Sequence, residues 1–200
     1  MALSLEFNLR ELLDSFSESQ RSRYISVIND DSVKTEFARR VISRIKERTQ
    51  EKNIDKNGRR FVGYSKAYIN SDDFKIFGKS ASKVTLKLSG EMQASIFVGK
   101  RKRNKVSISI SDEDQIKKAR GHINGSNNLP VRDFWGLPKK DQVSILKDVL
   151  SSLNLDQDIF TISDAISAAA AGRSADFTTS SDGVEISNTE LALLSGLISG

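Results

Sequence analysis

The chain is 200 residues long, which bounds it to one domain or one domain with an appendage. Its 38% hydrophobic and 28% charged residues are those of a soluble protein with one core, and the absence of cysteine excludes a disulfide framework, a thiolate nucleophile and sulfur ligands for zinc or iron–sulfur. The net charge of +5 conceals an asymmetry: residues 1–150 carry 30 Lys and Arg against 19 Asp and Glu, whereas 151–200 carry one Arg against seven acids.

The N-terminal MALSLEFNLRELL has no basic region followed by an apolar one, so no secretory signal is expected, and no apolar run is long enough to span a bilayer. Residues 1–30 read as a short extended lead followed by a helical pattern, with Leu9, Leu12, Leu13 and Phe16 on one face. Tyr24, Ile25 and Ile28 continue it beyond the polar break at Ser17–Ser19. Asp30, Asp31 and Ser32 then supply cap-type side chains and negative charge where the first N–H groups of a helix lack partners. Val33, Phe37, Val41 and Ile45 recur every four residues, with Ala38 and Ile42 beside them, which predicts an amphipathic helix over 32–50. Its opposite face carries Arg39, Arg40, Lys46 and Arg48.

A polar connector with an Asn-Gly turn, 51–60, leads into an aromatic- and glycine-rich stretch to residue 80 in which one short helical turn is expected. The period then changes to two. Val84, Leu86 and Leu88 alternate with Thr85 and Lys87, which predicts a half-buried strand broken at Ser89-Gly90. Ile96 and Val98, then Val106, Ile108 and Ile110, alternate on either side of GKRKRN and predict a β-hairpin with a strongly basic tip loop of about five residues. Residues 112–125 read as a capped helix ended by glycine, and SNNLPVRDFWGL as irregular chain. Pro138 suits the first turn of a helix over 138–153, whose stripe is Val143, Leu146, Val149, Leu150 and Leu153.

Beyond Asn154 the composition shifts to an acidic, serine-rich arm. Asp182-Gly183 signals a hairpin between 177–181 and 184–186, and ISDAISAAAAG is a helical candidate. Ser187 and Glu190 form a capping-box pair that opens a terminal helix with Leu191, Leu194 and Ile198 on one face. These pieces are too short to hold a core alone and read as an arm that orders against something else. The expected organisation is α+β: a helical lead (1–30), a core with helices packed on a small antiparallel sheet containing a long β-hairpin (31–153), and an extended C-terminal arm (154–200).

Catalytic chemistry finds little support. His122 is the only histidine, there is no G-x-S-x-G elbow, and in IFGKSASK the position of the first P-loop glycine is Asp73. No catalytic residue, metal ligand or cofactor is expected. The sharpest electrostatic feature is the run Lys100, Arg101, Lys102, Arg103 and Lys105. Its readings are phosphate contact, a solvated hairpin tip, or contact with an acidic neighbouring subunit, and without an interleaved aromatic residue it is not a base-stacking site. Phe134 and Trp135 are adjacent, and adjacent residues of an extended chain point opposite ways, so one is expected inside and the other at a neighbour's disposal. With Leu191, Leu194 and Ile198 they are the candidate inter-subunit residues.

Three further blocks suggest a family. VTLKLSGEMQASI (84–96) matches a strand followed by L-S/T-G-x-M/L-x-x-S-I, KARGHING (118–125) matches A-x-x-H-x-x-G, and LPVRDFWGLPKKDQVSIL (129–146) matches P-x-R-x-F-x-G-L leading into a helix. In this order and spacing the chain, from about Arg59 to Leu150, resembles the tail-completion or virion-morphogenesis proteins of tailed bacteriophages. The resemblance implies a small α+β protomer without catalytic activity, assembling into a homo-oligomeric ring, commonly hexameric, at the head–tail junction. There it completes or terminates the tail, or serves as neck or connector, among neighbouring phage tail, neck or connector proteins. It also implies assembly in the host bacterial cytoplasm, location in the virion, at most passing contact with genomic DNA, and no membrane. Neither the basic run at 100–105 nor the arm belongs to the family pattern. From another class, the alternative is a basic nucleic-acid-binding module gripping phosphates with 100–105 and the arginines of helix 32–50.

Overall fold

The computed structural model describes residues 2–86, 90–126 and 129–153. A three-stranded antiparallel sheet lies at its centre, in the order β1-β3-β2. Strand β1 (Leu3–Asn8) is the extended lead, β2 (Phe97–Lys102) and β3 (Lys105–Ile110) are the expected hairpin. The lead is therefore integral to the core rather than a separate region: Leu3 faces Ile110, Leu5 faces Ile108 and Phe7 faces Val106. LSLEF has the period-two pattern of a strand, and it buries Phe7 on the side where the central strand buries Val106, Ile108 and Ile110.

Helix α1 (Leu9–Leu13) follows the strand directly, capped by the Asn8 side chain, and α2 (Glu18–Tyr24) opens on a capping box made by Ser17 and Gln20. Helix α3 (Asp31–Glu47) is the long amphipathic helix, capped by Asp30, whose carboxylate accepts the Ser32 N–H at 2.6 Å. That hydrogen bonding holds the Asp30 carboxyl below the ordinary range. Val33, Phe37, Ala38, Val41, Ile42 and Ile45 of α3 are all buried, and the helix packs on both β2 and β3. Phe37 meets Phe7 edge to face, with ring centroids 5.6 Å apart. At its C-terminal end α3 widens into one π turn, Arg48–Lys52, closed by Asn53 in the left-handed conformation at φ 56°.

The stretch expected to hold one helical turn holds two short helices, α4 (Lys66–Ile69) and α5 (Asp72–Ile76), opened by Ser65 and Ser71. Helices α6 (Glu91–Ala94), α7 (Glu113–Asn124) and α8 (Lys139–Ser151) complete the body. Helix α8 packs on α3 and α1 through Ile145, Leu146, Val149 and Leu150. The architecture is α+β, with helices packed on a small antiparallel sheet. Among the described residues no helix is long and apolar enough to cross a membrane.

Two expectations change. Residues 84–86 are not a strand, although Val84 and Leu86 are buried as the alternation implies. A tyrosine side chain takes the place of a strand neighbour: the Thr85 N–H donates to Tyr64 Oη at 2.9 Å, and that hydroxyl donates to the Thr85 carbonyl at 2.9 Å. The hairpin tip is also shorter than expected. Lys102 pairs with Lys105, leaving a two-residue turn of Arg103 and Asn104, with Arg103 at φ 38°. This turn is tied to the start of α1, because Asn104 accepts the Leu9 N–H at 2.8 Å and its side chain donates to Asn8 at 2.8 Å. A bulge between Val98 and Arg101 shifts the register, and Gly99 lies so close to β3 that a Cβ there would sit 2.5 Å from Ser107 Oγ. The arm predicted over 154–200, with its hairpin and terminal helix, lies outside the described residues.

Candidate functional site

Strand pairing divides the basic run instead of gathering it. Lys100, Arg101 and Lys102 lie in β2, Arg103 in the turn and Lys105 at the start of β3. Arg101 opposes Val106, on the face that α3 covers, and its Nε stands 3.6 Å from an Asp31 carboxylate oxygen at the beginning of that helix. Lys105 pairs with Glu6 of β1 at 2.8 Å, and this hydrogen bond holds the ammonium above its ordinary range. Lys100, Lys102 and Arg103 are exposed, with no ion-pair partner among the described residues.

Phe134 and Trp135 do not divide as expected. Both are buried, at 0% and 8% exposure, in an edge-to-face pair with centroids 6.0 Å apart. The expectation assumed an extended chain, whereas the backbone bends at Trp135 and continues into Gly136 at φ 140°. The bend is held from the far end of α3. Arg48 Nη2 donates to the carbonyls of Phe134 at 2.7 Å and Gly136 at 2.8 Å, the two that bracket the tryptophan. Burial lowers the Arg48 pKa, while Asp141, Asp55 and Asp133 favour its charge. Leu191, Leu194 and Ile198 lie outside the described residues.

A cleft of about 280 Å³ is lined in part by Leu129, Pro130 and Arg132, just before that loop. All three blocks of the resemblance line it: Thr85, Leu86, Gly90 and Met92 from the first, Lys118 and His122 from the second, and Leu129, Pro130 and Arg132 from the third. One wall is aromatic. Tyr64, Tyr68 and Phe74 form a mutual cluster with centroids 5.3, 5.5 and 5.5 Å apart: Tyr64 precedes the Ser65 cap of α4, Tyr68 lies in α4, and Phe74 lies in α5 beyond its Ser71 cap.

Cations stand against that wall. Arg132, only 3% exposed, donates from Nε and Nη2 to the Val62 carbonyl at 3.3 and 3.0 Å and from Nη2 to the Gly63 carbonyl at 3.3 Å, with its guanidinium 5.4 Å from the Tyr64 centroid. Lys79 Nζ donates to Tyr64 Oη at 3.0 Å and to the Thr85 carbonyl at 3.2 Å. At the rim, Lys118 stands 3.7 Å from Glu91. His122 is largely buried beside these charges: desolvation first, then Arg132 and Lys79, push its pKa down to about 4, so the imidazole is neutral near pH 7. Its Nδ1, like Gln115 Oε1, is buried without a hydrogen-bond partner.

Tyr64, Lys79, Gln115 and Arg132 were not singled out as site residues in the sequence. Arg132 carries a signal, as the arginine of the P-x-R-x-F block, beside the more conspicuous Phe134 and Trp135. Lys79 gave none, because its partners lie six and fifteen residues away. Comparison with protein-family profiles, with curated proteins and with solved structures gives no match.

Proposed function

We propose that the protein is a non-enzymatic structural component of a tailed-phage virion, forming a homo-oligomeric ring of six copies at the head–tail junction. The observation that carries this reading is that the three sequence blocks resembling phage tail-completion proteins, dispersed over 84–146, fold against one another around a single cleft of an α+β body. The body also offers what assembly needs. The sheet has only three strands, so β1 and β2 each keep an outer edge unpaired among the described residues and open to a neighbour's strand. Val62, Ile76, Phe77, Phe97, Leu129 and Val131 remain exposed on the body.

A second reading, a nucleic-acid-binding module, draws on Lys100, Lys102 and Arg103, exposed at the hairpin end. It is the weaker one, because Arg101 and Lys105 are engaged by Asp31 and Glu6 on opposite faces of the sheet. Light scattering on the eluting protein, beside a DNA mobility shift at two salt concentrations, separates the two. A ring-sized species with little DNA affinity supports the structural reading. A monomer that binds DNA with a steep salt dependence overturns it in favour of the second.

A further inference from the structure

We propose that the cleft between Tyr64, Lys79, His122 and Arg132 is a binding site for a small organic carboxylate whose body is an aromatic ring system bearing a hydroxyl or amino group.

The argument starts from charge. Lys79, Lys118 and Arg132 line the cleft, and no carboxylate lines it among the described residues. Lys118 has Glu91 at the rim, but neither Lys79 nor Arg132 forms an ion pair among the described residues. Arg132 is buried all the same, and the groups that favour its charged form are the tyrosines 64 and 68 rather than an acid. A buried guanidinium satisfied only by carbonyl dipoles and a ring face is costly unless a counter-anion joins it. Arg48, the other buried arginine, has Asp141, Asp55 and Asp133 in its field. Of these two arginines, only Arg132 has no carboxylate favouring its charge.

Shape and polarity specify the rest of the occupant. Tyr64, Tyr68, Leu86, Met92, Leu129 and Pro130 give an apolar and aromatic surround suited to a flat body. A dry cavity of about 150 Å³ takes a benzene, so the roughly 280 Å³ here accommodates a bicyclic ring. Gln115, only 9% exposed, lines the cleft with its Oε1 unpartnered, and His122 does so with Nδ1 unpartnered. The Gln115 oxygen is a buried acceptor and is matched by a donor on the ligand, which is why the body carries a hydroxyl or amino group. Inorganic phosphate meets the charge requirement but does not fill the apolar volume.

The test uses the full chain and isothermal titration calorimetry with 6-hydroxy-2-naphthoate, its neutral amide 6-hydroxy-2-naphthamide, and inorganic phosphate. The naphthoate is expected to saturate below about 1 mM. The amide is expected to bind about tenfold more weakly or less, and phosphate not to displace the naphthoate. Lys79→Met, checked for folding by circular dichroism, is expected to weaken the naphthoate about tenfold. Gln115→Met, of similar volume, is expected to weaken the hydroxynaphthoate while leaving unsubstituted 2-naphthoate unchanged. If Lys79→Met does not fold, the acid–amide difference on the unaltered chain decides. Equal affinity for acid and amide, no saturation by the naphthoate, or full displacement by phosphate overturns the proposal. None of these outcomes bears on ring assembly, so the two readings fail separately.

Discussion

The sheet with α3 and the wall of the cleft are built on opposite plans. On the α3 side, Phe7, Val106, Ile108 and Ile110 meet Val33, Phe37, Val41 and Ile45, all buried, and the periodicities of strand and helix alone bring them together. On the cleft side, α7 is joined by four- and five-residue helices and irregular chain, fastened by side chains that bind distant backbone: Tyr64 to Thr85, Arg132 to Val62 and Gly63. The first region is stabilised by apolar area, which tolerates approximate fit. The second depends on individual polar contacts, each of which leaves a buried group unpaired if removed.

The contrast predicts different failures. Phe37→Ala should empty the contact with Phe7 and lower global stability by about 3–5 kcal/mol in denaturant unfolding, with the whole body unfolding as one. Lowering the pH should act through the cleft. His122 has its pKa depressed from 6.5 to about 4, so its contribution is fully present above pH 6.5 and is lost as the pH falls toward 4. The loss amounts to about 3 kcal/mol across that window, and it should appear as the difference between the unaltered chain and His122→Asn in urea titrations at pH 7 and pH 4. Tyr64→Phe should cost about 1–3 kcal/mol, felt locally: amide exchange at Thr85, whose N–H loses its acceptor, should quicken far more than exchange in β3. The smallest effect is expected for Asp112→Ala, which removes the cap that accepts the Gln115 N–H of α7 at 2.8 Å. It should cost about 1 kcal/mol in thermal unfolding.

The same division decides what could be read from the sequence. Helix α3, the hairpin and α8 were legible because each carries its own apolar period, and the caps of α3 at Asp30 and of α7 at Asp112 are local. The pairing of β1 with β3 was not, since nothing near Leu3–Asn8 announces a partner a hundred residues onward. At 84–86 the alternation reported burial correctly, but the partner of the backbone is a tyrosine hydroxyl rather than a strand. The orientation of Phe134 and Trp135 was misjudged because an arginine 86 residues before Phe134 holds the bend. In the cleft, the resemblance blocks marked the right stretches of chain while leaving the cations and the tyrosine wall unannounced, for these are single side chains without a spacing of their own.

The proposal that this chain closes into a ring at the head–tail junction is tested most directly by electron cryo-microscopy of tailed virions assembled with it. The account predicts that density at the junction, symmetrised about the tail axis, accommodates repeated copies of the body formed by residues 2–153. A particle that contains no copy of the chain, or carries it away from the junction without rotational repetition, contradicts the account.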